Sequence, residues 1–163
     1  MDAHYYNVEV LWNHERKGVM CSPELNISNG SNDGCIEVAT PPEFPKGIPG
    51  IWSPEHLFTA AVSSCLMTTF LAIAENSKLE FTGFSCNSKG KLDQVDGKFQ
   101  MTEVILEPTV TIVNEKDREK AERILIKSEA ACLITNSINS KITLIPVVEV
   151  IENKIKSGVE IPL

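Results

Sequence analysis

The chain has 163 residues, 42% of them hydrophobic, and a formal net charge of −7. That length suits one domain over 1–163, with enough apolar content to build a core without disulfide staples. The acidic balance and scattered Lys and Arg offer no basic stripe to neutralise phosphates, which argues against a nucleic-acid partner.

In chain order, MDAHYYNVEV has neither the basic nor the apolar region of a signal peptide. Residues 4–12, HYYNVEVLW, partly alternate and are rich in Tyr, Val and Trp, which predicts a strand. NHERKG reads as a charged turn, and 19–28 as a second strand. NGSNDG, 29–34, holds both Asn-Gly and Asp-Gly, the strongest short hairpin signals, and CIEVA then reads as a third strand. Five prolines between 41 and 54 exclude helix or central strand and predict a long ordered loop.

Ser53 as cap, Pro54 in the first helical position and Glu55 at the positive end of the dipole then open a helix to about Ser77. From Leu57 to Ala74 it carries no charge, which approaches the length of a membrane span. Thr59, Ser63, Ser64, Thr68 and Thr69 interrupt the run and no basic anchor follows closely, so the expectation is a core helix and no membrane partner. Residues 81–92 and 98–113 read as two strands joined by DQVDG. A second helix follows in NEKDREKAERILIKSEAACL with Asn114 as its cap, and KITLIPVVEVI, 141–151, reads as one long last strand. This order of strands and helices implies α+β.

Five cysteines without a C-x-x-C pair fit neither a secreted disulfide framework nor a zinc ribbon, and unpaired thiols point to the cytoplasm. Cys21, Cys35 and Cys86, in strands or beside turns, read as inert structural thiols. Cys65 lies mid-helix. Cys132 falls eleven residues after Ala121, near the same azimuth, and so faces the core with Ala121, Ile124 and Leu125. Two helices burying these faces could bring the sulfurs together, but the pattern alone favours two core cysteines that never react. A reactive thiol in apolar surroundings needs a cation. Of the three arginines, Arg123 points away from Cys132, and Arg118 lies roughly 21 Å along the helix. That leaves Arg16, in a loop, as the best candidate, with an exposed turn residue as the competing reading. His56, nine residues before Cys65, lies on the opposite face, and His4 and His14 have no ligand spacing. No phosphate loop, dinucleotide fingerprint or serine-hydrolase elbow is present.

SPEHLFTAAVSSC resembles the N-P-E-x-L-x-A-A-x-x-x-C segment of the OsmC/Ohr family of peroxide-reducing proteins, ACLITNSI its C-P-x-S-N motif, and RKG its early R-x-G. The hairpin GKLDQVDGKFQMTEVILEPTVTI is also typical. The resemblance implies an α+β fold of curved antiparallel sheets wrapped around central helices in an intertwined homodimer. It implies a thiol-dependent peroxidase, with Cys65 as attacking thiolate, Cys132 as resolving cysteine, Arg16 holding the thiolate and the peroxide, and Glu55 pairing with Arg16. An organic hydroperoxide would be the substrate and an external dithiol, of lipoyl or similar type, the reductant, with no cofactor or metal. Leu133 replaces the motif proline, Thr135 its serine and Ser53 the first asparagine. Two other readings stand beside the peroxidase: a non-catalytic dimer holding a small lipophilic molecule, and a thiol redox sensor.

Overall fold

The computed structural model describes residues 3–25 and 34–151. Most of the predicted hairpin at 29–34 and the tail from 152 fall outside them. The chain forms two compact units, Met1–Phe58 and Thr59–Leu163.

The first unit holds three antiparallel strands in the order β1-β2-β3: β1 (Glu9–His14), β2 (Lys17–Cys21) and β3 (Cys35–Ala39). The third is the predicted CIEVA. The first two differ from expectation. β2 starts at Lys17 and stops at Cys21, because Pro23 cannot donate to a ladder and a 3-10 turn, Pro23–Leu25, follows. β1 pairs only opposite β2, from Glu9↔Cys21 to His14↔Lys17, so residues 4–8 gain no strand. Gly18 is required by close approach: a Cβ there would lie 2.5 Å from the Leu11 carbonyl oxygen. The proline-rich loop folds back through turns at Pro41–Phe44 and Phe44–Gly47, and Trp52 bridges Val38 in parallel.

Helix α1 (Pro54–Asn76) begins where Ser53 predicts. Ser53 is fully buried, and its Oγ accepts the His56 N–H at 3.4 Å while its carbonyl accepts that of Leu57 at 3.0 Å. In the second unit β4 (Phe81–Val95) and β5 (Lys98–Ile112) form one long hairpin. Its turn is Asp96-Gly97 alone, both at positive φ (50° and 77°), which matches the twist of the flanking strands. Asp93 to Val95, expected in the connection, continue the strand. A short 3-10 turn, Glu115–Asp117, then precedes α2 (Arg118–Ala131), and Asn114 caps that turn by accepting the Lys116 N–H at 3.2 Å.

The expected single strand at 141–151 is two, β6 (Lys141–Leu144) and β7 (Val147–Val150), each pairing in parallel with β5. Leu144 pairs with Leu106 and Val147 with Thr109, so Ile145-Pro146 lies level with Glu107-Pro108. Neither proline has an N–H to offer, and the ladder breaks there. The sheet is therefore mixed rather than antiparallel throughout.

On β5, Val104, Leu106, Pro108, Val110 and Ile112 are buried in strict alternation and set the core face. Phe70 and Ala74 of α1, Leu79, Ala121, Ile124 and Leu125 of α2, and Val148 of β7 pack with Val110 and Ile112. The Phe70 ring lies 5.3 Å from that of Phe81 and 5.0 Å from that of Phe84. Its complete burial stabilises the fold by roughly 2–3 kcal/mol.

The expectation of a core helix holds along one stripe of α1: Val62, Leu66, Phe70 and Ala74, with Cys65 beside it. Ala61, Ser64, Met67, Thr68, Leu71 and Ala72 are exposed in the single chain. The sheet covers one face of a cylinder, and nothing in the sequence distinguishes that face from the other. By length and composition alone α1 is also long and apolar enough to cross a membrane, a test that the core helix of a soluble protein passes as well, and 28% of its most apolar window is buried.

Candidate redox-active site

The four residues singled out by sequence fall into two pairs. Arg16 stands in the two-residue turn between β1 and β2, where Glu15 takes a positive φ of 49°. The Trp12 indole N–H donates to the Glu15 carbonyl at 3.1 Å, and the Thr40 N–H donates to the Arg16 carbonyl at 3.0 Å. These bonds fix a turn that its sequence alone leaves free. Half-buried Glu55 lies in the first turn of α1. Arg16 and Glu55 line one cavity of about 470 Å³, walled by Trp12, Val38, Phe44 and Pro54 among others. A basic and an acidic side chain in an otherwise largely apolar wall can hold the polar end of a molecule whose remainder is hydrocarbon.

Cys65 and Cys132 form the second pair. Both are free and buried, and their thiols are hydrogen-bonded to each other. Helical spacing predicts Cys132 within α2, but the helix ends at Ala131. Cys132 is the residue after it, with φ −66° and ψ 116°. Its side chain nonetheless faces inward and is fully buried.

The two thiols differ in acidity. Burial pushes the Cys65 thiol up, but the Cys132 thiol, the Ile134 N–H, the Thr69 hydroxyl and the Leu133 N–H all donate to its sulfur, and the net displacement is downward. Burial likewise raises Cys132, and its bond to Cys65 raises it further; the N–H and hydroxyl of Thr135 and the N–H of Ile134 offset only part. Of the two, Cys65 is therefore the sulfur that gives up its proton more readily, with Cys132 as the donor of the S–H between them.

Two expectations about cysteine are corrected. Cys21 and Cys35 are not inert thiols: they form a disulfide, with Cα atoms 4.1 Å apart at facing positions of β2 and β3. The reading of all five cysteines as unpaired therefore fails for these two. Cys86 remains free, within 3.4 Å of the Ser88 hydroxyl, which in turn donates to Ser63 of α1 at 2.9 Å. His56 engages Ser53, Oγ to Nδ1 2.8 Å, and meets Trp52 edge-on. Among the described residues no three His, Cys, Asp or Glu side chains gather as a metal site. Sequence reasoning missed Thr69 and the 133–134 amides. Thr69 carried a signal, since it stands one helical turn after Cys65 on the same face. Backbone amides carry none.

A family model described as OsmC-like protein matches residues 47–146. The chain belongs to the OsmC-like family. The match covers the end of the proline-rich loop, α1, the β4–β5 hairpin, α2 and β6, and so includes Glu55, Cys65 and Cys132 but not Arg16. Solved structures agree in fold. An OsmC-like protein of unknown function from Vibrio cholerae superposes with a TM-score of 0.73 at 22% identity, covering 91% of this chain and 100% of its own. An organic hydroperoxide resistance protein from Legionella pneumophila gives 0.69 at 20% identity, over 91% of this chain and 99% of that one. Another from Elizabethkingia anophelis gives 0.69 at 20%, over 92% and 99%. The uncharacterized protein YmaD of Bacillus subtilis (strain 168) is 25% identical over 95 residues, 56% of this chain. The aligned region spans 63% of that relative, under two thirds of its length.

Proposed function

We propose that this OsmC-like chain is a cysteine-based peroxidase that reduces organic hydroperoxides. The observation that supports the reading best is the asymmetry of the two buried, hydrogen-bonded thiols: Cys65 is drawn toward the thiolate and Cys132 held as the thiol. The Cys65 thiolate attacks the terminal oxygen of ROOH, the O–O bond breaks, and Cys65 becomes a sulfenic acid while RO⁻ takes a proton and leaves as the alcohol. Cys132 then attacks the Cys65 sulfur, giving a Cys65–Cys132 disulfide and water. A dithiol of lipoyl or similar type restores both thiols by exchange and is itself oxidised to a disulfide. Arg16 binds the peroxide and favours the thiolate, with Glu55 orienting its guanidinium. Organic hydroperoxide resistance proteins among the structural relatives lend the substrate class its support.

The working unit in this proposal is a homodimer. Glu55 and Cys65 are separated by roughly 15 Å along an unbroken α1, so a compact site joining both pairs draws on two chains. The exposed uncharged face of α1 gives a partner something apolar to cover.

Steady consumption of cumene hydroperoxide with dihydrolipoamide as reductant tests the activity, and light scattering the assembly. No turnover with any dithiol would remove the peroxidase reading, and a fully active monomer would remove the two-chain site.

A further inference from the structure

The cavity that holds Arg16 and Glu55 has an apolar floor, and the register of the first sheet lays it out. Trp12 of β1 faces Gly18 of β2, and Gly18 faces Val38 of β3. Paired residues of antiparallel strands point to the same face, so these residues form one row across the sheet. All line the cavity, and all belong to the first unit. The middle member is a buried glycine, so the row has a gap at its centre, with an indole on one side and the valine side chain on the other. Two strand spacings set the flanking strands about 10 Å apart, which makes the gap one side chain wide. The chain does not fill it itself, since a Cβ on Gly18 would lie 2.5 Å from the Leu11 carbonyl oxygen. Trp12 is 76% exposed, yet its one polar atom is satisfied: the indole N–H donates to the Glu15 carbonyl at 3.1 Å. That bond ties the ring to the turn carrying Arg16, and the register shift between Trp12 and His14 re-aims the strand at this point. An exposed aromatic ring, held in place beside a slot and next to charged side chains, is the wall of a binding site.

We infer that the Trp12–Gly18–Val38 row is an aryl slot: a flat ring lies over the Gly18 backbone, stacked on the Trp12 indole, while the polar group it carries reaches Arg16 and Glu55. With the peroxidase reading above as its basis, the slot narrows the substrate class to aryl hydroperoxides and makes Trp12 the residue that selects them. A flat ring fills a slot of this width and gains stacking on the indole, whereas a compact tert-butyl group has no face to stack.

One measurement of turnover and one of binding test the slot, both on the full-length protein. Trp12→Ala is expected to lower the ratio of kcat/KM for cumene hydroperoxide to that for tert-butyl hydroperoxide about tenfold, chiefly through a higher KM for cumene hydroperoxide. Trp12→Phe keeps a ring but loses the N–H, and is expected to restore most of the ratio. An unchanged ratio in Trp12→Ala would overturn the inference. So would a ratio in Trp12→Phe as low as in Trp12→Ala, because the indole would then act only through its bond to the Glu15 turn. Binding needs neither turnover nor a variant at Trp12. The chain has two tryptophans, so the indole N–H resonances of the nitrogen-labelled protein are told apart with Trp52→Phe. Cumyl alcohol, the product of cumene hydroperoxide reduction, is expected to shift the Trp12 resonance, and tert-butanol at equal concentration to shift it far less. An unmoved Trp12 resonance, or equal shifts from both alcohols, would overturn the inference even where the Trp12 variants fail to fold. A selective shift in a protein that consumes no peroxide would remove the proposed function and leave the aryl slot standing.

Discussion

The molecule carries two cysteine pairs, and their surroundings differ at every point that governs thiol chemistry. Cys21 and Cys35 face each other on neighbouring antiparallel strands, partly exposed and joined as a disulfide. Cys65 and Cys132 come from a helix and from the residue after another helix, are buried, and remain free beside a set of hydrogen-bond donors. The first pair closes a loop of the first unit. The second holds a charge asymmetry that a closed disulfide could not express. Proximity of two sulfurs is thus common to both, and the donors around them set the pairs apart.

The largest expected effect separates the pairs by activity. Cys65→Ser should bring peroxide consumption to background, whereas Cys132→Ser should leave one fast turnover followed by over-oxidation of Cys65 to the sulfinic acid, read by mass spectrometry. Retention of steady activity by both variants would end the distinction. The double variant Cys21→Ser/Cys35→Ser should instead lose stability, by about 3 kcal/mol for a closed loop of this size, in a urea titration, while peroxide consumption continues. A collapse of activity without unfolding would give the strand pair a chemical role. A finer distinction lies within the buried pair: residue-resolved alkylation should set in at Cys65 at lower pH than at Cys132. The same displacements act oppositely on stability. The Cys65 contribution is present above its unfolded-state pKa and lost as pH falls through the lowered folded value. That of Cys132 is present below its unfolded-state pKa and lost as pH rises through the raised folded value. Arg16→Met carries the smallest effect, a severalfold slowing of Cys65 alkylation at neutral pH, and an unchanged rate would return Arg16 to the role of a turn residue.

What was legible in the sequence follows from where the physics is local. Ser53-Pro54-Glu55 set the start of α1, alternation set the core face of β5, and Asp96-Gly97 marked the hairpin even though its length was misjudged. The break at Pro146 was visible as a proline inside an apolar run. That it splits one strand into two depends on Pro108 lying opposite, which is a matter of register and not of spacing. Register also decides the Cys21–Cys35 bond: fourteen residues apart in sequence, the two meet only because β2 and β3 pair in that alignment. The inward face of Cys132 was readable from helical periodicity, although the helix ends one residue earlier. The donors from Leu133 and Ile134 were not, since a backbone N–H belongs to almost every residue and only the fold gives it a direction. Which face of α1 stays exposed was not readable for a related reason, because an evenly apolar helix does not reveal which side its own chain covers.

The central claim is that Cys65 and Cys132 act as one redox pair. The most direct measurement treats the reduced-at-Cys65 protein with one equivalent of cumene hydroperoxide and maps every cysteine by mass spectrometry without reductant. The account predicts a new Cys65–Cys132 disulfide, with Cys86 still free and Cys21–Cys35 unchanged. A chain in which the peroxide stays unconsumed, or in which oxidation falls on Cys86 while Cys65 and Cys132 remain thiols, would contradict it.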